Sequence, residues 1–201
     1  MITIENGIRY DRKSRWITVG ERIEHITATQ FENALKDITS TRSQKPIIVF
    51  LRGSRGGDIY PCLKIYEIIE HSKVPIFTIA VDIVFSGFFY ILQAGQKRVA
   101  TQETKLIFHR ATQFFENNDM NAGDLREAAD YLLMLDGAQL HIFCKHGRPI
   151  KKVISIFYIG ATLTATEAQN LKLVDEIIEE DSIQKMCARV RRTACRQKAS
   201  T

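Results

Sequence analysis

The sequence predicts an α/β fold assembled from βαβ crossovers, on three observations. Two uninterrupted apolar runs, Pro46-Ile-Ile-Val-Phe-Leu51 and Ile76-Phe-Thr-Ile-Ala-Val81, are bounded by turn signals, as strands buried on both faces are. Strand and helix patterns alternate along the chain, which favours a parallel sheet with helical crossovers. Two Thr-x-x-Glu capping boxes precede helical stretches. At 201 residues the chain suits one domain with at most a small appendage, and it holds no internal repeat or low-complexity segment.

The elements follow in order. Arg15-Trp-Ile-Thr-Val-Gly20 reads as a first strand after a polar leader, residues 1–14. Thr29-Gln-Phe-Glu32 is the first capping box, with Phe31, Ala34, Leu35 and Ile38 at helical spacing. A polar loop from Ser40 to Lys45 leads into the apolar run at Pro46. Gly53-Ser-Arg-Gly-Gly57 breaks that run, and Asp58 opens a helix with Pro61 in its first turn. Leu63, Ile65, Tyr66, Ile68 and Ile69 lie mostly along one side of it, and it ends before Pro75. After the second buried strand and Asp82, Ser86-Gly-Phe-Phe-Tyr-Ile-Leu-Gln-Ala-Gly95 fits a short central helix. Arg98-Val-Ala100 and Lys105-Leu-Ile-Phe-His109 are further strands, and residues 111–121 read as a loop. A long helix runs from about Asp124 to His146, closed by Gly147 and followed by Pro149. Thr164-Ala-Thr-Glu167 is the second capping box, and Leu173-Val-Asp-Glu-Ile177 a short strand.

The formal net charge of +5 raises the question of nucleic acid. Residues 182–201 hold six basic side chains (Lys185, Arg189, Arg191, Arg192, Arg196, Lys198) and no acidic one, leaving 22 basic against 23 acidic residues, a net of −1, over the rest. The body is neutral and offers no second basic patch, so the extension at 181–201 reads as a solvated or partner-facing end rather than a nucleic-acid site. No apolar run reaches the roughly 18 residues of a membrane span, and Met1-Ile-Thr-Ile-Glu5 lacks a basic start followed by a hydrophobic core. Cys62, Cys144, Cys187 and Cys195 form no CxxC pair and have no His at metal-ligand spacing, so no metal site is expected. They read as reduced thiols of a cytoplasmic protein.

Three features fall at the C-terminal ends of buried strands, where open α/β sheets place their sites. Gly56-Gly57 lets backbone N–H groups approach a ligand, although glycine pairs also make plain turns. Ser86 opens an apolar helix, a position where serine ordinarily caps. His109 ends an apolar strand, where a histidine is often structural. Jointly they fit acyl transfer: a hydroxyl nucleophile at the positive end of a helix, an imidazole to take its proton, and the N–H groups of Gly57 and Gly87 for the oxyanion.

From about Arg15 to Ile178 the chain resembles the Clp protease proteolytic subunit family, ClpP, peptidase family S14. That family's Ser-Pro-Gly-Gly turn corresponds to Ser54-Arg55-Gly56-Gly57. Its segment Gly-x-Ala-Ala-Ser-Met-Gly-Ala-Phe-Leu-Leu-x-Ala-Gly matches, without a gap, Asp82-Ile-Val-Phe-Ser86-Gly-Phe-Phe-Tyr-Ile-Leu-Gln-Ala-Gly95. Its Met-Ile-His-Gln-Pro matches Ile107-Phe-His109-Arg-Ala111, and its Ser-Ala-x-Glu-Ala…Gly-Leu-Val-Asp matches Thr164-Ala-Thr-Glu-Ala168…Lys172-Leu-Val-Asp175. The resemblance implies a ClpP/crotonase-like fold of repeated ββα units over residues 15–180, with the helix from about residue 124 as a protruding handle. It implies Ser86 as nucleophile, His109 as base, Gly57 and Gly87 as oxyanion hole, and 1–14 as an axial segment. It further implies heptameric rings, two of them stacked around a chamber, that cleave polypeptides fed by an AAA+ Clp ATPase. The subunit then needs no cofactor of its own, ATP being used by the partner unfoldase.

The chain departs from the family at the residues that set activity. An ungapped match from Gly147 puts Gly160 where the family's triad Asp lies, and Ile154-Ser-Ile-Phe-Tyr-Ile-Gly-Ala-Thr-Leu163 contains no carboxylate. In the serine-protease template losing that group costs on the order of 10⁴ in turnover; a backbone carbonyl or water near Gly160 would orient His109 in part. Gly87-Phe88 replaces Met-Gly, Arg55 replaces Pro, and Arg110-Ala111 replaces Gln-Pro. Phe85, Phe88 and Phe89 put bulk around Ser86.

Besides a serine peptidase, the sequence leaves open a non-catalytic paralogue that builds or regulates a mixed ring with an active partner. A crotonase-like acyl-CoA enzyme shares the superfamily, but it relies on acidic site residues, and the nucleophile segment has only Asp82.

Overall fold

The computed structural model describes residues 2–5, 7–41, 43–52, 56–113, 115, 119–145 and 148–188. Ser54, Arg55, Gly147 and the basic extension from Arg189 on lie outside them.

A seven-stranded sheet forms the centre. Its strands are β1 (Ile2–Glu5), β2 (Ile8–Asp11), β3 (Trp16–Val19), β4 (Ile47–Arg52), β5 (Ile76–Val81), β7 (Lys97–Thr101) and β10 (Glu176–Ile178), hydrogen-bonded in that order. The first three strands pair antiparallel; from β3 onward every neighbour is parallel. The apolar runs at Pro46 and Ile76 are thus the central strands β4 and β5. Their alternate residues serve two cores, with Ile47, Val49 and Leu51 on one face and Ile48 on the other.

The first face carries α1 (His25–Thr39), α2 (Ile59–Glu70) and α3 (Gly87–Ala94), and its core contains Phe31, Ile65, Ile91 and Phe143 among others. On the second face Ile48, Ile79, Val81 and Val99 cluster with Met186 and Cys187 from the helical segment 183–188. The long helix α4 (Ala122–Phe143) leaves Leu125, Leu133 and Met134 exposed along its length. Then come α5 (Ile150–Ile159) and α6 (Ala165–Asn170).

Several elements differ from expectation. Within the polar leader, residues 2–5 and 8–11 are strands, with Ile8 buried and Arg9 exposed in the alternation of a two-faced strand. Helix α1 starts a turn before the predicted box: Glu24 is its cap and Thr27 closes the reciprocal pair, while the Thr29 hydroxyl donates back to the His25 carbonyl. The strand expected at 173–177 is Glu176–Ile178, with Leu173 and Val174 buried ahead of it. The capping box at Thr164 forms as predicted.

A second, three-stranded sheet positions the site. It consists of β6 (Ile83–Phe85), β8 (Lys105–Ile107) and β9 (Thr162–Thr164). Asp82, at φ 62°, turns the chain out of β5 into β6, a left-handed backbone that costs a non-glycine residue free energy. In the register of this small sheet, Phe85 pairs with Ile107 and Ile107 with Thr162. The residues just beyond these ends are therefore Ser86 after β6, His109 after β8, and Gly160 ahead of β9.

Candidate active site

Ser86 follows β6, its N–H donating to the Ile107 carbonyl at 2.8 Å. It occupies the N-cap position of α3 but does not cap: φ is 55° and ψ −120°, and its side chain accepts no bond from the helix N-terminus. The backbone is held in a sparsely populated conformation by strand and helix together, which is how such strain survives. The hydroxyl consequently stands beside the first turn of α3, near the positive end of its dipole.

Gly56 and Gly57 pass directly beneath it. A Cβ on Gly56, whose φ is +77°, would lie 3.0 Å from the Ser86 Cβ. Gly57 forms an isolated parallel bridge with Ile23, in which Ile23 donates to the Gly56 carbonyl and Asp58 donates to that of Ile23. This alternation turns the Gly57 N–H away from Ile23, and Gly87 lies close by: a Cβ on it would stand 3.9 Å from the Gly57 nitrogen. Neither glycine tolerates a side chain, since a Cβ on Gly57 would meet the Ile23 carbonyl at 2.4 Å and one on Gly87 the Cys62 sulfur at 2.1 Å. Burial, reinforced by Asp58, pushes the Cys62 thiol up to about 12, so it is a neutral packing group against α3.

His109 follows β8, its ring stacked on Phe85 with centroids 5.1 Å apart and planes 28° from parallel. Its Nδ1 lies 2.6 Å from the Arg110 carbonyl oxygen. A carbonyl can only accept, so Nδ1 carries a proton, and in the tautomer this selects Nε2 is the acceptor nitrogen. Nε2 is buried and has no hydrogen-bond partner among the described residues. A Cβ on Gly160 would begin 3.6 Å from the His109 Cβ. The residue that terminates α5 in a left-handed turn (φ 71°, ψ 47°) thus faces the imidazole without offering it a carboxylate.

Of the three phenylalanines expected to crowd the serine, Phe88 and Phe89 do not. Both are fully buried, and Phe89 packs on Phe108 and Phe143, 5.0 and 5.2 Å away. Only Phe85 lines the cavity, a cleft of about 650 Å³ whose walls include Gly57, Ser86, Gly87, His109 and Tyr90. The four residues expected to carry the chemistry therefore border one space. Asp136, on α4, was not foreseen. Its oxygens accept from Arg110 Nε at 2.7 Å and from the Ala111 N–H at 2.8 Å. The clue to it was an acid inside the buried stripe of α4, beside Leu135 and ahead of Gln139, Ile142 and Phe143. Among the described residues no group of three or more His, Cys, Asp or Glu could hold a metal ion, and no helix is long and apolar enough to cross a membrane.

Residues 8–181 match the family described as Clp protease. The chain belongs to the Clp protease family. It is 27% identical over 171 residues to the ATP-dependent Clp protease proteolytic subunit of Deinococcus radiodurans, covering 84% of this chain and 82% of that one. It is 23% identical over 175 residues to proteolytic subunit 2 of a Synechococcus strain, covering 86% and 87%. Among solved structures it superposes on a mutant ClpP1 from Listeria monocytogenes with a TM-score of 0.72 at 20% identity, covering 84% of this chain and 94% of the other. The mixed α/β architecture, a sheet flanked by several helices, is that of the matched ClpP1 structure and fits a Clp protease family chain. The site's details are this chain's own.

Proposed function

We propose that this Clp protease family chain is a serine peptidase subunit working with a Ser86–His109 dyad. One observation carries the reading: Ser86 is strained into an elbow where its hydroxyl caps nothing, and it borders one cavity with His109, whose Nε2 is bonded to no described residue, Ser86 Oγ included, and is left for a proton that substrate binding would bring to it. In this reading Ser86 Oγ attacks the substrate carbonyl carbon and its proton passes to His109 Nε2. The oxygen that becomes negative is held by the N–H groups of Gly57 and Gly87. The imidazolium then protonates the departing amine. Water attacks the acyl-serine in the reverse sequence, with His109 again the base. The Arg110 carbonyl does for the tautomer what a triad Asp would do, but as a neutral acceptor it stabilises the imidazolium less. A slower enzyme than a full triad is expected.

The substrates are extended polypeptide segments, delivered by an AAA+ Clp ATPase that alone consumes ATP; the subunit uses no cofactor. Seven-membered rings, stacked in pairs through α4 with its exposed Leu125, Leu133 and Met134, enclose the sites in the cytoplasm. A second reading, an assembly subunit that joins an active paralogue without cleaving, is favoured by the uncharged Gly160. Hydrolysis of a fluorogenic peptide by the purified protein separates the two. Turnover that Ser86→Ala abolishes supports the peptidase. Turnover absent alone and with a co-purified paralogue, and indifferent to Ser86→Ala, leaves the assembly reading. Native mass spectrometry showing only monomer or dimer at micromolar concentration would contradict the rings in both.

A further inference from the structure

Resting on the dyad reading, the geometry points to Asp136 as the positioning carboxylate of this site: it orients His109 through the Arg110–Ala111 peptide group instead of touching the imidazole. The Arg110 carbonyl and the Ala111 N–H are the two ends of one trans peptide unit. Its oxygen accepts from His109 Nδ1 at 2.6 Å, and its N–H donates to Asp136 Oδ1 at 2.8 Å. Asp136, peptide group and imidazole form one continuous hydrogen-bonded chain. The carboxylate is 2% exposed, so little water screens it. A negative charge at the N–H end of a peptide pushes electron density toward the carbonyl oxygen and makes it a better acceptor, and bonds in such chains strengthen one another.

The same carboxylate also anchors the peptide through the Arg110 side chain. Arg110 Nε donates to Asp136 Oδ2 at 2.7 Å, and that guanidinium lies over the Tyr158 ring at 4.8 Å, next to the α5 terminus that faces His109. The bond to Asp136 raises the Arg110 pKa, so the guanidinium stays charged. The arrangement needs a residue at 111 with an N–H; Ala111 supplies it, and a proline would not. Both Arg110 and Ala111 border the site cavity, so the clasp also fixes the wall against which a substrate lies.

Two readouts on the full-length protein test this. The first is the rate at which a fluorophosphonate labels Ser86; the second is the His109 tautomer, read by solid-state 15N NMR of histidine-labelled protein and assigned by the signal lost in His109→Gln. Asp136→Asn, which keeps the volume and removes the charge, is expected to slow labelling roughly 10- to 100-fold, by analogy with carboxylates that orient metal-ligating histidines from behind. It should also move the His109 signal from pure Nδ1–H toward a mixture, with Asp136→Glu recovering part of both. Labelling within twofold of wild type together with an unchanged tautomer, in a protein of unaltered assembly, overturns the proposal. Where Asp136→Asn does not fold, Ala111→Pro, which deletes the linking N–H, is held to the same two outcomes. Wild-type protein that takes no label sinks the dyad reading instead, and the tautomer alone then decides for or against Asp136.

Discussion

His109 and Gly160 face each other across the end of the small sheet: Ile107 pairs with Thr162, and continuing that antiparallel register by two residues opposes 109 to 160. A Cβ built on Gly160 would stand 3.6 Å from that of His109, an ordinary contact distance. The position has room for a side chain, and Asp is among the residues that tolerate the left-handed backbone found there.

Gly160→Asp is therefore expected to raise kcat/KM for a small peptide ester at least tenfold, out of the roughly 10⁴ that a directly bonded carboxylate is worth. The left-handed turn should cost about 1 kcal/mol of stability. Steady-state kinetics beside thermal unfolding check both; an unchanged or lower kcat/KM in a folded protein would show that His109 is not limited by its orienting group.

The contact between α2 and α3 predicts a coupling. Gly87→Ala drives a methyl into the Cys62 sulfur and should destabilise by about 1–3 kcal/mol. Cys62→Ala in the same chain removes the clashing atom, so the double variant should lose clearly less than the two single losses combined. Denaturant unfolding of the three proteins measures this, and additive losses would contradict the packing described.

Asp175 governs acid stability. Burial favours its neutral form, but two bonds from the Arg98 side chain and one from the Arg98 N–H outweigh that and hold its pKa below the ordinary 3.8. A carboxyl whose pKa is lower in the folded than in the unfolded chain stabilises above the unfolded value and loses that contribution as pH falls through the folded one. Asp175→Asn should thus be less stable than wild type at pH 7, by roughly 1–3 kcal/mol. The gap should close as pH drops below about 3.8. A gap independent of pH would contradict the role of the charge.

How much of this was legible in the sequence depends on what each feature rests on. Strands β4 and β5 stand out because burial on both faces needs unbroken apolar runs, and the Thr164 box because a cap is a local, two-residue pattern. Strands β1 and β2 have no clear sequence signal, since four-residue strands such as Ile8-Arg9-Tyr10-Asp11 carry too short an alternation. Helix α5 escaped notice because β-branched Val153, Ile154 and Ile156 blur its helical pattern. At the site, Ser86, His109, Gly57 and Gly87 were found as residue types at plausible strand ends. The positive φ of Ser86 and the tautomer of His109 are tertiary facts with no local signature. Asp136 lies 26 residues beyond Arg110, and only folding makes them neighbours.

Catalysis as proposed requires Ser86 to be a nucleophile that His109 activates without a direct carboxylate. Intact-protein mass spectrometry after exposure to a fluorophosphonate reads that reactivity at the residue itself. The prediction is one adduct per chain, mapped to Ser86, absent in Ser86→Ala and formed far more slowly in His109→Gln. A wild-type chain that gains no adduct, or gains it equally in Ser86→Ala, would contradict it.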